Sequence, residues 1–146
     1  MRIKKNVLNS ICATVYDIPP ETGGILGEQR GVIVIVEFDE GIRQDRMCSY
    51  SPDVNKLNQV IQLWKKQGIA FCGIFHTHYF GVETLSAGDI SYIEQIMENM
   101  PKSIKKLYFP LVVLPQREMV AYVAVKENEE ICIQKETITV EGENKE

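Results

Sequence analysis

The stretch Gly73-Ile-Phe-His76-Thr-His78, followed after seven intervening residues by Ser86-Ala-Gly-Asp89, decides how this chain is interpreted. The two histidines end an apolar run and stand two residues apart, so in a β-strand both imidazoles project from the same face. Ser86 is a favourable helix N-cap, which places Asp89 in the first turn of the helix that follows. Two imidazoles and one carboxylate are therefore expected to converge from a strand end and a helix start.

Three protein ligands, with the fourth position left for water, is the ligand set of catalytic zinc sites. Both histidines of the chain lie in this motif, which favours one zinc ion held by His76, His78 and Asp89. The alternative is a pair of partly buried histidines that only hydrogen-bond. In that case Asp89 is an ordinary acidic residue that interacts with the helix dipole.

A hydrolytic metal site also needs a base, because zinc lowers the pKa of its water to about 7 and a nearby carboxylate then accepts the proton. The candidate base is Glu21, which stands between Pro19-Pro20 and a glycine-rich strand start. The alternative is that Glu21 is a solvated turn residue. Ser86 also has two interpretations, as a helix cap or as a hydroxyl that donates to the oxyanion formed on an attacked carbonyl. One residue serves both roles if its hydroxyl is exposed.

The composition indicates an ordinary globular domain. The chain has 146 residues, 45% of them hydrophobic and 25% charged, which predicts a single domain over 1–140 with a disordered tail over 141–146. The net charge of −4 argues against a nucleic-acid partner. No apolar run approaches the roughly 18 residues that span a bilayer. The four widely spaced cysteines, together with an N-terminus that lacks an export signal, favour reduced thiols and the cytoplasm.

The order of the predicted elements indicates an α/β or α+β fold built on a single mixed β-sheet flanked by helices. Helices are predicted over 4–16, from a Ser51 cap to Gly68, and from Ser86 to Pro101. Strands are predicted from Gly24, over 31–38 as a central strand buried on both faces, weakly over 42–50, and through the two histidines. Further strands are predicted over 107–114 and 119–125, joined by a hairpin, and over 131–140 as an edge strand.

The spacing His76-x-His78-x(7)-Ser86-x-x-Asp89 resembles the signature of the JAMM metallopeptidases, the catalytic MPN+ domains. The segment Glu21-Thr-Gly-Gly resembles the family's Glu-x-x-Gly segment, and the resemblance covers roughly residues 3 to 135. It implies an MPN/JAMM-like, deaminase-like sandwich of the compact prokaryotic type. It also implies zinc held by the two histidines and the aspartate, water activated by Glu21, and a tetrahedral intermediate steadied by Ser86.

The resemblance further implies hydrolysis of the isopeptide or peptide bond after the C-terminal Gly-Gly of a ubiquitin-like protein. The expected partners are that protein or its conjugate, with activating or conjugating enzymes of the same pathway. A processing peptidase for a sulfur-carrier-type protein and a non-catalytic MPN scaffold remain alternatives. The segments 42–50 and 79–85 are candidates for the cleft wall. The family usually has proline after the second histidine, so Tyr79 is expected to loosen that loop.

Overall fold

The computed structural model describes residues 1–15, 21–40 and 53–142, which contain three helices and nine strands. The helices are α1 (Lys5–Thr14), α2 (Val54–Lys66) and α3 (Ala87–Asn99). The strands are β1 (Arg2–Lys4), β2 (Gly23–Gln29), β3 (Val32–Asp39), β4 (Ala70–His78), β5 (Lys106–Tyr108), β6 (Leu111–Val113), β7 (Glu118–Glu127), β8 (Glu130–Glu136) and β9 (Thr139–Glu141).

All nine strands join one mixed sheet, as predicted. Across the sheet the order is β8, β7, the short pair β5 and β6, then β4, β2, β3, β1 and β9. β4 is an interior strand, antiparallel to β2 and parallel to β5 and β6. The chain leaves β4 and returns to β5 through α3, which is the kind of crossover that parallel strands require. This crossover brings the start of α3 next to the end of β4.

The sheet is strongly curled. β8 and β9 are separated by only Thr137 and Ile138, yet they lie at opposite ends of the strand order. β9 pairs in parallel with β1, and the amide of Thr139 donates to the carbonyl of Met1 at 2.8 Å. The prediction of one edge strand over 131–140 is therefore wrong, because the chain changes its partner strand after Glu136.

Helices cover both faces of the sheet, which gives the protein two apolar cores. The core between the sheet and α1, called the α1-side core below, contains residues of β1, α1 and the central strands, among them Ile3, Val7, Ile11, Leu26 and Phe75. The α2 and α3 face buries Leu57, Trp64, Ile93 and Met97 against Ile25 and Ile74. From Ile74 onward, alternation along β4 sends successive side chains to these two cores, because neighbouring residues of a strand point to opposite faces. Before Ile74 the register against β2 shifts, so Cys72 belongs to the α1 side.

Several predicted element boundaries need correction. The first helix begins at Lys5 after the unpredicted strand β1, and α2 is capped by Asp53 instead of Ser51. The predicted strand over 107–114 is interrupted at Phe109-Pro110, which divides it into β5 and β6. A proline cannot donate a ladder hydrogen bond, which accounts for the break.

The strand predicted to be buried on both faces, β3, is mostly half-buried. The reason is the placement of the helices: α2 packs on β4 and α3 on β7 and β8, so this face of β3 is only partly covered. The predicted strand over 42–50 and the prolines Pro19-Pro20 lie outside the described residues. β9 ends at Glu141, one residue past the predicted domain end, and 143–146 are not described. Among the described helices, none combines the length and the apolar character needed to cross a membrane.

Candidate metal centre

The two histidines lie at the end of β4, a strand that is paired on both sides. His76 pairs with Gly23 of β2 on one side and with Leu111 of β6 on the other. His78 pairs with Val113 at the end of the same parallel ladder. Both imidazoles are buried, and both belong to the face of β4 that α2 and α3 cover. The predicted strand with two histidines on one face is confirmed.

The first turn of α3 supplies the carboxylate. The hydroxyl oxygen of Ser86 accepts a hydrogen bond from the amide of Asp89 at 3.0 Å, and the amide of Ser86 donates to Asp89 Oδ2 at 2.9 Å. This reciprocal capping box satisfies amides that a helix start otherwise leaves unpaired. The predicted cap is confirmed, and the box orients the carboxylate of Asp89 toward β4.

Three side chains from β4 and α3, two imidazoles and one carboxylate, converge. His76 Nε2 and His78 Nε2 are 3.1 Å apart, Asp89 Oδ1 lies 3.2 Å from His76 Nε2, and Asp89 Oδ2 lies 3.0 Å from His78 Nε2. Tetrahedral ligands at about 2.1 Å from a zinc ion lie roughly 3.4 Å from one another. The observed separations are close to this value, and the donor set of two imidazoles and one carboxylate suits such an ion. His76, His78 and Asp89 therefore fit a metal site.

The electrostatics of the three groups favour a positive charge between them. Burial alone raises the pKa of Asp89, but the hydrogen bonds from His76 and His78 outweigh it and hold that pKa well below its usual range. Burial alone lowers the pKa of His78, but the hydrogen bond to Asp89 and the charges of Asp89 and Glu21 raise it overall. A proton or a metal ion is thus stabilised at the same place.

Glu21 reaches the same face of the sheet. The β2–β4 ladder pairs Gly23 with His76, and the amide of Thr77 donates to the carbonyl of Thr22 at 2.9 Å. Extending the ladder by one residue beyond the pair of Thr22 and Thr77 brings Glu21 opposite His78. The side chain of Glu21 then belongs to the face of the sheet that carries both imidazoles. The charge of Glu21 contributes to the raised pKa of His78, which agrees with this placement. The structure therefore brings His76, His78 and Asp89 together, with Ser86 at the start of the same helix and the charge of Glu21 acting on His78. The catalytic roles of Glu21 and Ser86 stay predictions.

The loop between His78 and Ser86 contacts the rest of the protein at several points, while the effect of Tyr79 in place of proline stays a prediction. Tyr79 is only 6% exposed because its ring is part of the α1-side core. The carbonyl of His78 accepts from the amide of Leu114, whose own carbonyl accepts from the amide of Gly81. The hydroxyl of Tyr122 on β7 donates to the carbonyl of Glu83 at 2.8 Å. The Tyr122 contact joins residues 39 positions apart, and no local sequence pattern indicates it.

No protein-family model matches the sequence, and no curated protein matches it. Solved structures do match. The solution structure of protein DSY2949 from Desulfitobacterium hafniense superposes with a TM-score of 0.69 at 19% identity, covering 97% of this chain and 93% of that one. The crystal structure of AF2198, a JAB1/MPN domain protein from Archaeoglobus fulgidus, gives a TM-score of 0.56 at 17% identity, covering 96% and 98%.

These comparisons define the class of fold. A single mixed sheet flanked by helices, matched along nearly its whole length by AF2198, is the MPN/JAB1 fold. At identities below 20% the likeness concerns the fold alone. On that fold this chain carries the cluster of His76, His78 and Asp89, which could hold a metal ion.

Proposed function

We propose that this protein is a JAMM-type zinc metallopeptidase that hydrolyses the isopeptide or peptide bond after the C-terminal Gly-Gly of a ubiquitin-like modifier. The observation that carries the proposal is the convergence of His76, His78 and Asp89 within the MPN/JAB1 fold. The register of β2 against β4, which brings Glu21 to the same face, supports a hydrolytic use of the site.

The chemistry assigned to the chain's own residues is general base catalysis with oxyanion stabilisation. When bound, a zinc ion supplies a Lewis acid that polarises a carbonyl and acidifies water. Glu21 accepts a proton from the attacking water and passes it to the amine as the C–N bond breaks. The Ser86 oxygen accepts from the amide of Asp89, so its exposed hydroxyl keeps its proton available to donate to the substrate oxygen.

The substrate class is the part of the proposal that rests on the resemblance. A Gly-Gly tail is extended and has no side chains, so it suits imidazoles that are buried between a sheet and a helix start. We assign one wall of the approach to this site to the loop 79–85, where Phe80 is 87% exposed and Val82 is 46% exposed. The other candidate wall, 42–50, lies outside the described residues. The proposed setting is the cytoplasm, with enzymes that activate or conjugate the same modifier as further partners.

Two alternatives use the same fold. A processing peptidase that exposes the Gly-Gly end of a sulfur-carrier-type protein needs the same five residues. A non-catalytic scaffold needs none of them, and the converged donor atoms favour the enzyme over the scaffold.

The test is cleavage of matched fusions by zinc-loaded protein. One fusion joins a ubiquitin-like domain ending in Gly-Gly to a reporter through a peptide bond, a second joins them through a lysine isopeptide bond, and a third replaces Gly-Gly by Ala-Ala. We expect cleavage of the Gly-Gly fusions that is abolished by a chelator and restored by zinc. Cleavage of the linear fusion alone would indicate the processing peptidase. Zinc binding without any cleavage would contradict the enzyme and favour the scaffold.

The matched control is His78→Ala, which removes one donor atom from the cluster. Zinc content measured on the purified protein should fall in this variant, together with any cleavage. Zinc bound at wild-type stoichiometry by His78→Ala would contradict the assigned metal site itself.

A further inference from the structure

We propose that Thr77, the residue between the two histidines, is a positioning residue that holds the catalytic carboxylate of Glu21 in register with the metal ligands. The proposal rests on the proposed function, because it assigns Glu21 as the base. It adds a residue that touches neither metal nor substrate. Its basis is a set of three contacts between Thr77 and the backbone of Thr22, the residue that follows Glu21.

Thr77 is a polar side chain in a place where polar side chains are rare. It is 0% exposed and lies on β4, where the strand alternation directs it to the face opposite the two imidazoles. A buried hydroxyl without a hydrogen bond destabilises a fold, so the partners of the Thr77 hydroxyl identify what it stabilises. Valine has nearly the same shape and suits an interior strand better. The hydroxyl therefore needs an explanation beyond packing.

Both partners of the Thr77 hydroxyl are on Thr22. The amide of Thr22 donates to Thr77 Oγ1 at 3.0 Å, and Thr77 Oγ1 donates to the carbonyl of Thr22 at 3.3 Å. The same carbonyl accepts from the Thr77 amide at 2.9 Å. In a regular antiparallel pair, two opposite residues exchange two backbone hydrogen bonds. Here the side chain of Thr77 serves as the acceptor for the Thr22 amide.

The amide of Thr22 belongs to the peptide group that joins Glu21 to Thr22. β2 begins at Gly23, so Glu21 lies two residues before the first paired position of that strand. Fixing the plane of the Glu21–Thr22 peptide limits the backbone torsion of Glu21, and with it the direction of the carboxylate. Thr77 is the residue between His76 and His78 in the chain. Its contacts with Thr22 therefore connect the proposed base, Glu21, to the three-residue segment that carries two of the proposed metal ligands.

A displacement of about 1 Å in a catalytic group can cost on the order of 10²-fold in rate. A role in positioning Glu21 therefore predicts a loss of turnover without loss of metal. A role in folding alone predicts a lower melting temperature with normal turnover in the protein that remains folded. The two roles can be distinguished by comparing variants that keep or lose the hydroxyl.

The experiment compares Thr77→Val, which loses the hydroxyl, with Thr77→Ser, which keeps it. Thr139→Val on the distant edge strand β9 controls for the same chemical change at an exposed position. For each protein we would measure zinc content, kcat and KM on a Gly-Gly fusion, and hydrogen exchange of the Thr22 amide by NMR. If Thr77→Val does not fold, Thr77→Cys replaces it, since a thiol is only a weak hydrogen-bond partner.

We expect Thr77→Val to keep its zinc, to lose about 10- to 100-fold in kcat with little change in KM, and to exchange the Thr22 amide faster. Thr77→Ser and Thr139→Val should match the wild type. Normal kcat in Thr77→Val, or an unchanged Thr22 exchange rate, would overturn the proposal. If the wild type cleaves no fusion, the proposed function fails. The exchange comparison then still decides whether Thr77 holds the Glu21–Thr22 peptide.

Discussion

At the residue scale, Asp89 has two tasks that are met by different contacts. Its carboxylate accepts from the amide of Ser86, which stabilises the start of α3, and it also faces both imidazoles. The alternatives considered from sequence, a first-turn acid or a metal ligand, are therefore compatible in one residue. The depressed pKa of Asp89 keeps the carboxylate ionised for both tasks.

Removing the charge of Glu21 should separate binding from catalysis. Glu21→Gln keeps the size of the side chain but cannot accept a proton, so we expect normal zinc content with cleavage reduced by about 10²-fold or more. His76→Ala and Asp89→Ala should lose both zinc and cleavage, because each removes a donor atom. Metal analysis and fusion cleavage measure the two properties. Cleavage at the parental rate by Glu21→Gln would refute its assignment as the base.

Zinc binding should weaken in mild acid. The pKa of His78 is higher in the folded protein than in the unfolded chain. In the metal-free protein, protonation of His78 therefore stabilises the fold at a pH below the unfolded pKa. This stabilisation is lost as the pH rises through the folded pKa. That proton must leave before the imidazole can bind a metal. Affinity measured by chelator competition should therefore be much lower at about pH 5.5 than at about pH 7.5. Equal affinity at both values would contradict imidazole ligation.

At the element scale, two helices begin with side-chain caps that have different consequences. Ser86 caps α3 beside the candidate metal centre, whereas Asp53 caps α2 by accepting from the amide of Lys56 at 3.3 Å. Helix α3 also connects β4 to β5, so the position of its first turn sets the distance between Asp89 and the histidine strand. The cap of α3 belongs to the same turn as Asp89, whereas the cap of α2 lies on a helix that contributes no residue to the cluster.

Replacing each cap by alanine tests this difference. Ser86→Ala and Asp53→Ala should each cost about 1 kcal/mol of folding stability, which corresponds to a melting temperature lower by about 3 °C. Only Ser86→Ala should also reduce zinc affinity and turnover, since it frees the turn that carries Asp89. Calorimetry and metal titration measure both. A comparable loss of zinc affinity in Asp53→Ala would show that general destabilisation is responsible.

At the scale of the whole molecule, the sheet separates two apolar cores and bends far enough to bring β9 beside β1. Cys72 lies within β4 and contributes to the α1-side core, where it is 3% exposed. Burial, with a smaller contribution from the charge of Glu28, raises the pKa of the Cys72 thiol well above its usual range. The charge of Lys106 acts in the opposite direction but does not offset burial.

Cys72 is therefore expected to report global unfolding. Its thiol should resist alkylation by iodoacetamide at about pH 8 while the protein is folded, because a buried neutral thiol is a poor nucleophile. Exposed Cys132 on β8 should be modified under the same conditions. Peptide mapping by mass spectrometry resolves the two sites, and denaturant should make Cys72 reactive. Rapid modification of Cys72 in the native protein would contradict a close-packed α1-side core.

The amino-acid sequence by itself determined the parts of this protein that depend on local rules. The two-residue alternation put His76 and His78 on one face, and the capping preference of Ser86 located the start of α3 and the place of Asp89. Alternating and apolar runs indicated a mixed sheet with helices. These features depend on neighbours a few positions apart, so they can be read without the fold.

Only the tertiary structure decided which distant segments meet. The β2–β4 register brings Glu21 to His78 and joins Thr22 to Thr77, residues 55 positions apart. The curl of the sheet divides the predicted strand over 131–140 between opposite edges, and Tyr79 at the start of the loop 79–85 is buried in the core. Such pairings are selected by the free energy of the whole packed molecule, because each strand has several partners that satisfy its local pattern equally well.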